Sequence, residues 1–156
     1  MKTTRLRISH AASLFAGASL LSIAAWLHSG SSMAQTSSSD VGEVESVVRD
    51  YIEGWYTGDA GRMDRALHED LVKRIPVHEG SPAMTRLHPV TKSRMLEMTA
   101  EGGGKNPEAA FEISVDDVST DIATARVLSP EYLDYLHLAK TQEGWKIVNA
   151  LFHVRD

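Results

Sequence analysis

The sequence predicts an α+β protein in which helices come first and an antiparallel sheet follows. Three observations carry this expectation. Apolar residues between Val44 and Trp55 recur with the period of a helix. From Phe111 onward the pattern changes to the alternation of strands. Near the end, Gln142-Glu143 separates two long, largely apolar segments, as the turn of a hairpin would. Neither an internal repeat nor a second domain interrupts this order.

Each element follows from local signals. Asp40 and Glu43 read as a capping box, with Asp in place of the usual Ser or Thr. Val44, Val47, Val48, Tyr51, Ile52 and Trp55 then form one helical stripe, with Glu45, Arg49 and Glu53 on the opposite face. Gly58 ends this helix. Asp59 caps a shorter one with Met63, Ala66 and Leu67 inward. Residues 71–78 read as extended, broken at Pro76, and residues 80–82 as a turn. Thr91 caps a third helix whose inward candidates are Met95, Leu96 and Met98; Gly102-Gly103-Gly104 stops it. Phe111, Ile113 and Val115 alternate with Glu112, Ser114 and Asp116, and residues 122–128 alternate less cleanly. Residues 132–141 and 144–153 complete the sheet.

This order resembles the nuclear-transport-factor-2-like superfamily, also called cystatin-like or SnoaL-like. Two stretches sharpen the likeness. Residues 51–59 (YIEGWYTGD) running into 66–74 (ALHEDLVKR) are similar to the opening of the putative lumazine-binding family within that superfamily. Residues 134–140 (DYLHLAK) followed by 144–149 (GWKIVN) are similar to its closing hairpin. The resemblance spans nearly all of Val44 to Phe152. The chain departs from it at Glu69, where the family tends to have Pro after His68. The resemblance implies a cone, with a curved sheet wrapped around the first helix and a pocket inside. It also implies a homodimer through the outer sheet face. The superfamily includes isomerases, cyclases, dehydratases, epoxide hydrolases and plain binding modules, so fold does not fix function.

A two-residue turn at Gln142-Glu143 sets an expected register. Leu138 faces Ile147, Leu136 faces Asn149, Asp134 faces Leu151 and Tyr132 faces His153. These residues share one face, assigned to the inside of the cone. Leu133, Tyr135, His137, Val148, Ala150 and Phe152 share the other, assigned to the dimer surface. A slip of one residue would exchange the two faces. The expected ligand-binding set is therefore Asp134, Asn149, Tyr132 and His153 from the sheet, with Tyr51 and Trp55 from the first helix. Asp134 is the one acid on an inward face that otherwise reads as apolar. It is the candidate general acid or base; the alternative, which packing alone favours, is a structural acceptor for Tyr51, Asn149 or a backbone N–H.

Other chemistry is poorly supported. The chain has no cysteine, which removes thiol catalysis and disulfides. His68, His78 and His88 are evenly spaced, but ten residues matches no ligand period of a helix or strand, so neither a metal nor a cofactor is expected. Gly102-Gly103-Gly104-Lys105 lacks a preceding strand and a following Ser or Thr, and reads as a turn rather than a phosphate loop. No nucleophile-elbow or Ser/His/Asp motif is present. Two classes remain open: a pocket protein for a small aromatic or heterocyclic molecule, with or without acid–base catalysis at Asp134, and a dimeric interaction module whose cone is filled.

The N-terminal segment predicts where the protein works. Lys2, Arg5 and Arg7 precede an uncharged, apolar run over residues 11–27, and Ser32-Met33-Ala34 places small residues at a cleavage site. The run is shorter than the ~20 residues of a comfortable membrane span, and rich in Ala and Ser. Residues 1–34 thus read as a secretory signal, residues 35–39 as a polar, disordered leader, and residues 40–156 as one domain, periplasmic or secreted. Losing Lys2, Arg5 and Arg7 lowers Lys plus Arg from 16 to 13 against 21 acids, and moves the formal charge from −5 to −8. An acidic surface of this kind argues against nucleic acid or membrane partners after cleavage. N-terminal sequencing of exported protein should begin at Gln35; an intact Met1 in the extracytoplasmic fraction would refute the signal reading.

Overall fold

A computed structural model describes residues 38–78, 80, 85–104 and 106–155. The signal segment, residues 35–37 of the leader, most of the turn at 80–82 and Lys105 lie outside the described residues. The described order is α1 (Ser38–Thr57), α2 (Ala60–Ala66), β1 (Leu67–His78), β2 (Thr85–Val90), α3 (Lys92–Ala100), β3 (Glu112–Val118), β4 (Ile122–Leu128), β5 (Tyr132–Thr141) and β6 (Gly144–Val154). The six strands form one sheet in the order β2-β1-β6-β5-β4-β3. One join, β1 to β6, is parallel; the others are antiparallel. The α+β class follows as the sequence predicts.

The helix stripe buries as its period requires: Val44, Val48, Tyr51 and Ile52 of α1 join Leu136, Leu138 and Ile147 of the sheet in one core. Asp59 caps α2 by accepting from the Arg62 N–H at 3.0 Å, and Thr91 caps α3 by accepting from the Arg94 N–H at 3.3 Å. Two expectations at the start of α1 need correction. Ser38 and Ser39 belong to the helix rather than to a disordered leader, in keeping with the preference of serine for helix starts. Asp40 lies inside the first turn, and its carboxylate accepts from Lys140 Nζ at 2.5 Å and Trp145 Nε1 at 3.1 Å. It therefore pins the helix start to the closing hairpin.

Pro76 does not break β1. There the strand has passed its last pairing with β6, at Arg74, and Pro76 pairs only with Leu87 of β2. A missing N–H is tolerated where one edge of the strand is unpaired.

The hairpin turn is as expected, with Thr141 opposite Gly144 and Leu138 opposite Ile147. The register then shifts by one between Leu138 and His137, leaving Val148 as the extra residue of a β-bulge. Beyond the bulge every β6 side chain changes face relative to the expectation. His137 pairs with Asn149, Leu136 with Ala150, Tyr135 with Leu151, Asp134 with Phe152 and Leu133 with His153. Ala150 is buried, Phe152 turns inward, and Leu151 is exposed. The face assigned to a dimer is thus split. Tyr135 and His137 stay outside with Asn149 and Leu151, whereas Ala150 and Phe152 belong to the concave side.

The glycine run after α3 holds this helix against α1. The Gly104 N–H donates to the Trp55 carbonyl at 3.1 Å. Gly103 has φ +42, and a Cβ there would sit 2.1 Å from the same carbonyl oxygen. Lys92, at the start of α3, bonds Asp64 of α2 and Glu69 of β1, both at 2.9 Å. Gly103→Ala should therefore cost about 1–3 kcal/mol in urea unfolding. Gly42→Ala, where an added Cβ meets nothing within 4 Å, should gain about 0.5–1 kcal/mol from helix propensity.

Candidate functional site

The concave face carries one group of buried charges. Lys73 and Asp134 are 6 % and 2 % exposed, and Tyr51 above them is 3 % exposed. Strand alternation puts Lys73 inward beside Leu71, and the parallel β1–β6 join sets it opposite Ala150. Phe152, two residues along β6, pairs with Asp134 of β5. Lys73 must cross Phe152 to reach Asp134, and its Nζ lies 3.9 Å from the centre of that ring. Three neighbouring strands and one helix thus build the group.

The bonding is closed on one carboxylate oxygen. Lys73 Nζ donates to Asp134 Oδ1 at 2.6 Å, and the Tyr51 hydroxyl donates to the same atom at 2.7 Å. Lys73 Nζ also donates to the Tyr51 oxygen. Burial, then the Asp134 charge, pushes the Tyr51 pKa well above its ordinary value, so this phenol stays protonated. Burial pulls the Lys73 pKa down, opposed by Asp134. Both directions have the same cause: neither chain has water to solvate its charged form.

Beside this group lies a cavity of about 190 Å3. Tyr51, Ile52 and Trp55 of α1 form one wall, and Lys73, Tyr132, Asp134 and Phe152 of the sheet form another. Val90 and the thioethers of Met95 and Met98 close it from β2 and α3. Trp55, Tyr132 and Phe152 make a chain of edge contacts, with ring centres 6.3 and 6.0 Å apart.

Four of the six residues expected from sequence meet here: Tyr51, Trp55, Tyr132 and Asp134. The other two do not, because the bulge at Val148 turns them to the outer face. Asn149 bonds His137 Nδ1 at 3.0 Å and accepts from Arg74 at 3.1 Å. His153 is exposed, with Nδ1 2.9 Å from the Val154 carbonyl oxygen. Sequence reasoning missed Lys73 and Phe152. A signal for Lys73 existed: it interrupts the alternating apolar series Leu71, Ile75, Val77, just as Asp134 interrupts its own. Among the described residues, no three His, Asp or Glu side chains converge in a way that could hold a metal ion.

The ion pair is testable by removing one partner or both. Lys73→Met leaves a buried carboxylate with only Tyr51, and should cost about 3–5 kcal/mol in urea unfolding. The double variant Lys73→Met/Asp134→Leu should recover most of that loss. A double variant less stable than either single one would show that the pair is not the cause.

Comparison with known proteins agrees with this fold. An NTF2-like protein of unknown function from Shewanella baltica OS155 superposes with a TM-score of 0.67 at 18 % identity, covering 78 % of this chain and 98 % of its own. One from Silicibacter pomeroyi DSS-3 gives 0.65 at 19 %, covering 77 % and 99 %. A ketosteroid isomerase-like protein from Erwinia carotovora atroseptica SCRI1043 gives 0.56 at 18 %, covering 76 % and 98 %. At these identities the likeness establishes the NTF2-like fold alone. Among curated proteins, none matches the sequence significantly. The model of one sequence family, described as "Putative lumazine-binding", matches residues 39–153, and the chain belongs to that family.

Proposed function

We propose that this chain is an exported small-molecule-binding protein whose cone takes an aromatic or heterocyclic ligand beside Asp134. The observation that carries the reading is the cavity itself. Its walls are mostly aromatic, aliphatic and thioether, and its few polar groups gather at the Lys73–Asp134–Tyr51 end. A concave apolar site with a small convergent polar group is the usual form of a small-molecule site. The family's description adds support of the same kind. A filled cone, as an interaction module would have, is less well supported, because Tyr51, Trp55 and Met95 line the space instead of filling it.

Catalysis by Asp134 as general acid or base is the second reading. In its favour is the 2.6 Å contact with Lys73, across which a proton can move. Against it, Oδ1 is already committed to two donors. Binding without turnover is therefore the better-supported function.

Native mass spectrometry of the purified protein should reveal a bound small molecule. Met98→Trp, which puts an indole into the cavity wall, should remove that mass while leaving the circular dichroism spectrum unchanged. Retention of the mass in a folded Met98→Trp protein would place the ligand elsewhere.

A further inference from the structure

The buried Lys73 suggests an anchor for an anionic ligand, but the bonding around it argues the reverse. An ammonium has three donor positions. Two go to Asp134 Oδ1 and the Tyr51 oxygen, and the face of Phe152 covers the ammonium at 3.9 Å. The Tyr51 proton is spent on Asp134 Oδ1. The positive charge of Lys73 is balanced by the carboxylate it touches.

What stays open is an acceptor. Asp134 Oδ2 receives no hydrogen bond from any described residue. It is not a sealed atom either: among the described residues, the side-chain nitrogen or oxygen that is both sealed and unpartnered is Trp55 Nε1. Asp134 lines the cavity, so Oδ2 opens onto it. Leaving a carboxylate oxygen there without a donor is costly. The half-buried Tyr132 hydroxyl adds one neutral group to the wall.

Resting on the reading of this cavity as a ligand site, we propose that it selects neutral aromatic molecules of one or two rings that carry a hydrogen-bond donor, a phenolic hydroxyl or ring N–H, for Asp134 Oδ2. Carboxylates are disfavoured, because they would meet that oxygen with like charge between apolar walls and find no free cationic donor. The size fits: about 190 Å3 is somewhat more than the ~150 Å3 of an engineered apolar cavity that holds benzene. Pteridine-diones such as lumazine are also disfavoured. Although they carry ring N–H donors, their several carbonyl and ring-nitrogen acceptors would lose water on more edges than the Tyr132 hydroxyl of the wall can serve.

Calorimetric or fluorescence titration at pH 7 with 2-naphthol, naphthalene, 2-naphthoate and lumazine tests this. 2-Naphthol should bind about tenfold or more tighter than naphthalene, as one hydrogen bond to a charged acceptor allows. 2-Naphthoate and lumazine should bind no better than naphthalene. In Asp134→Asn, where Oδ2 becomes an N–H donor, the advantage of 2-naphthol should shrink to about twofold or less. If that variant does not fold, the ranking in the parent protein decides. Naphthoate or lumazine binding as tightly as 2-naphthol overturns the ligand class and leaves the binding reading intact. Failure of all four probes, with no co-purifying molecule, overturns both.

Discussion

The contact on which the rest of this structure depends is the buried ion pair of Lys73 and Asp134, sealed by the Tyr51 hydroxyl. It joins β1 to β5 across β6 and ties both to α1. An isolated charge at either position would be costly in so little water, and their proximity offsets that cost with the help of the Tyr51 hydroxyl on Asp134 Oδ1 and the Phe152 ring against the ammonium. The arrangement therefore demands several features at once. The parallel join must hold β1 in register with β6, the helix must present Tyr51 downward, and Phe152 must lay its ring against the Lys73 ammonium, beside the ion pair.

The β-bulge at Val148 meets the last of these demands. Without it, continuation of the pairing between Leu138 and Ile147 would bring Leu151 opposite Asp134 and turn Phe152 to the outside. One extra residue reverses this, placing an aromatic face under the ammonium and moving the polar Asn149 and His153 out of the cavity. The outer face gains Leu151 beside Tyr135, both more than two-fifths exposed. Inner and outer chemistry are thus set by a single local irregularity, since the two faces of a strand are exclusive alternatives.

Helix α3 decides whether the cone is filled or hollow. It is fixed from both ends, by the two carboxylates around Lys92 and by the glycine run bonded to the Trp55 carbonyl. With its ends held, Met95 and Met98 meet the cavity from one side while Trp55 meets it from the other. Thioether side chains tolerate irregular space and varied occupants better than branched ones, which suits a wall facing a ligand.

By itself the sequence determined most of the element order. Helix period, caps at Asp59 and Thr91, strand alternation and the turn before Gly144 are short-range signals, and each reports the local backbone directly. The isolation of Asp134 among apolar inward positions and the place of Tyr51 on the helix stripe were legible for the same reason. Only the tertiary structure decided the partners. A bulge has no local marker at Val148, so Asn149 and His153 read as inward and Phe152 as outward. The parallel β1–β6 join links residues more than seventy positions apart, so nothing near Lys73 in the chain says that it meets Asp134. Short-range patterns encode which side chains share a face only as far as the register runs unbroken. Which buried charges touch is settled by register and crossover, and these are properties of the assembled sheet.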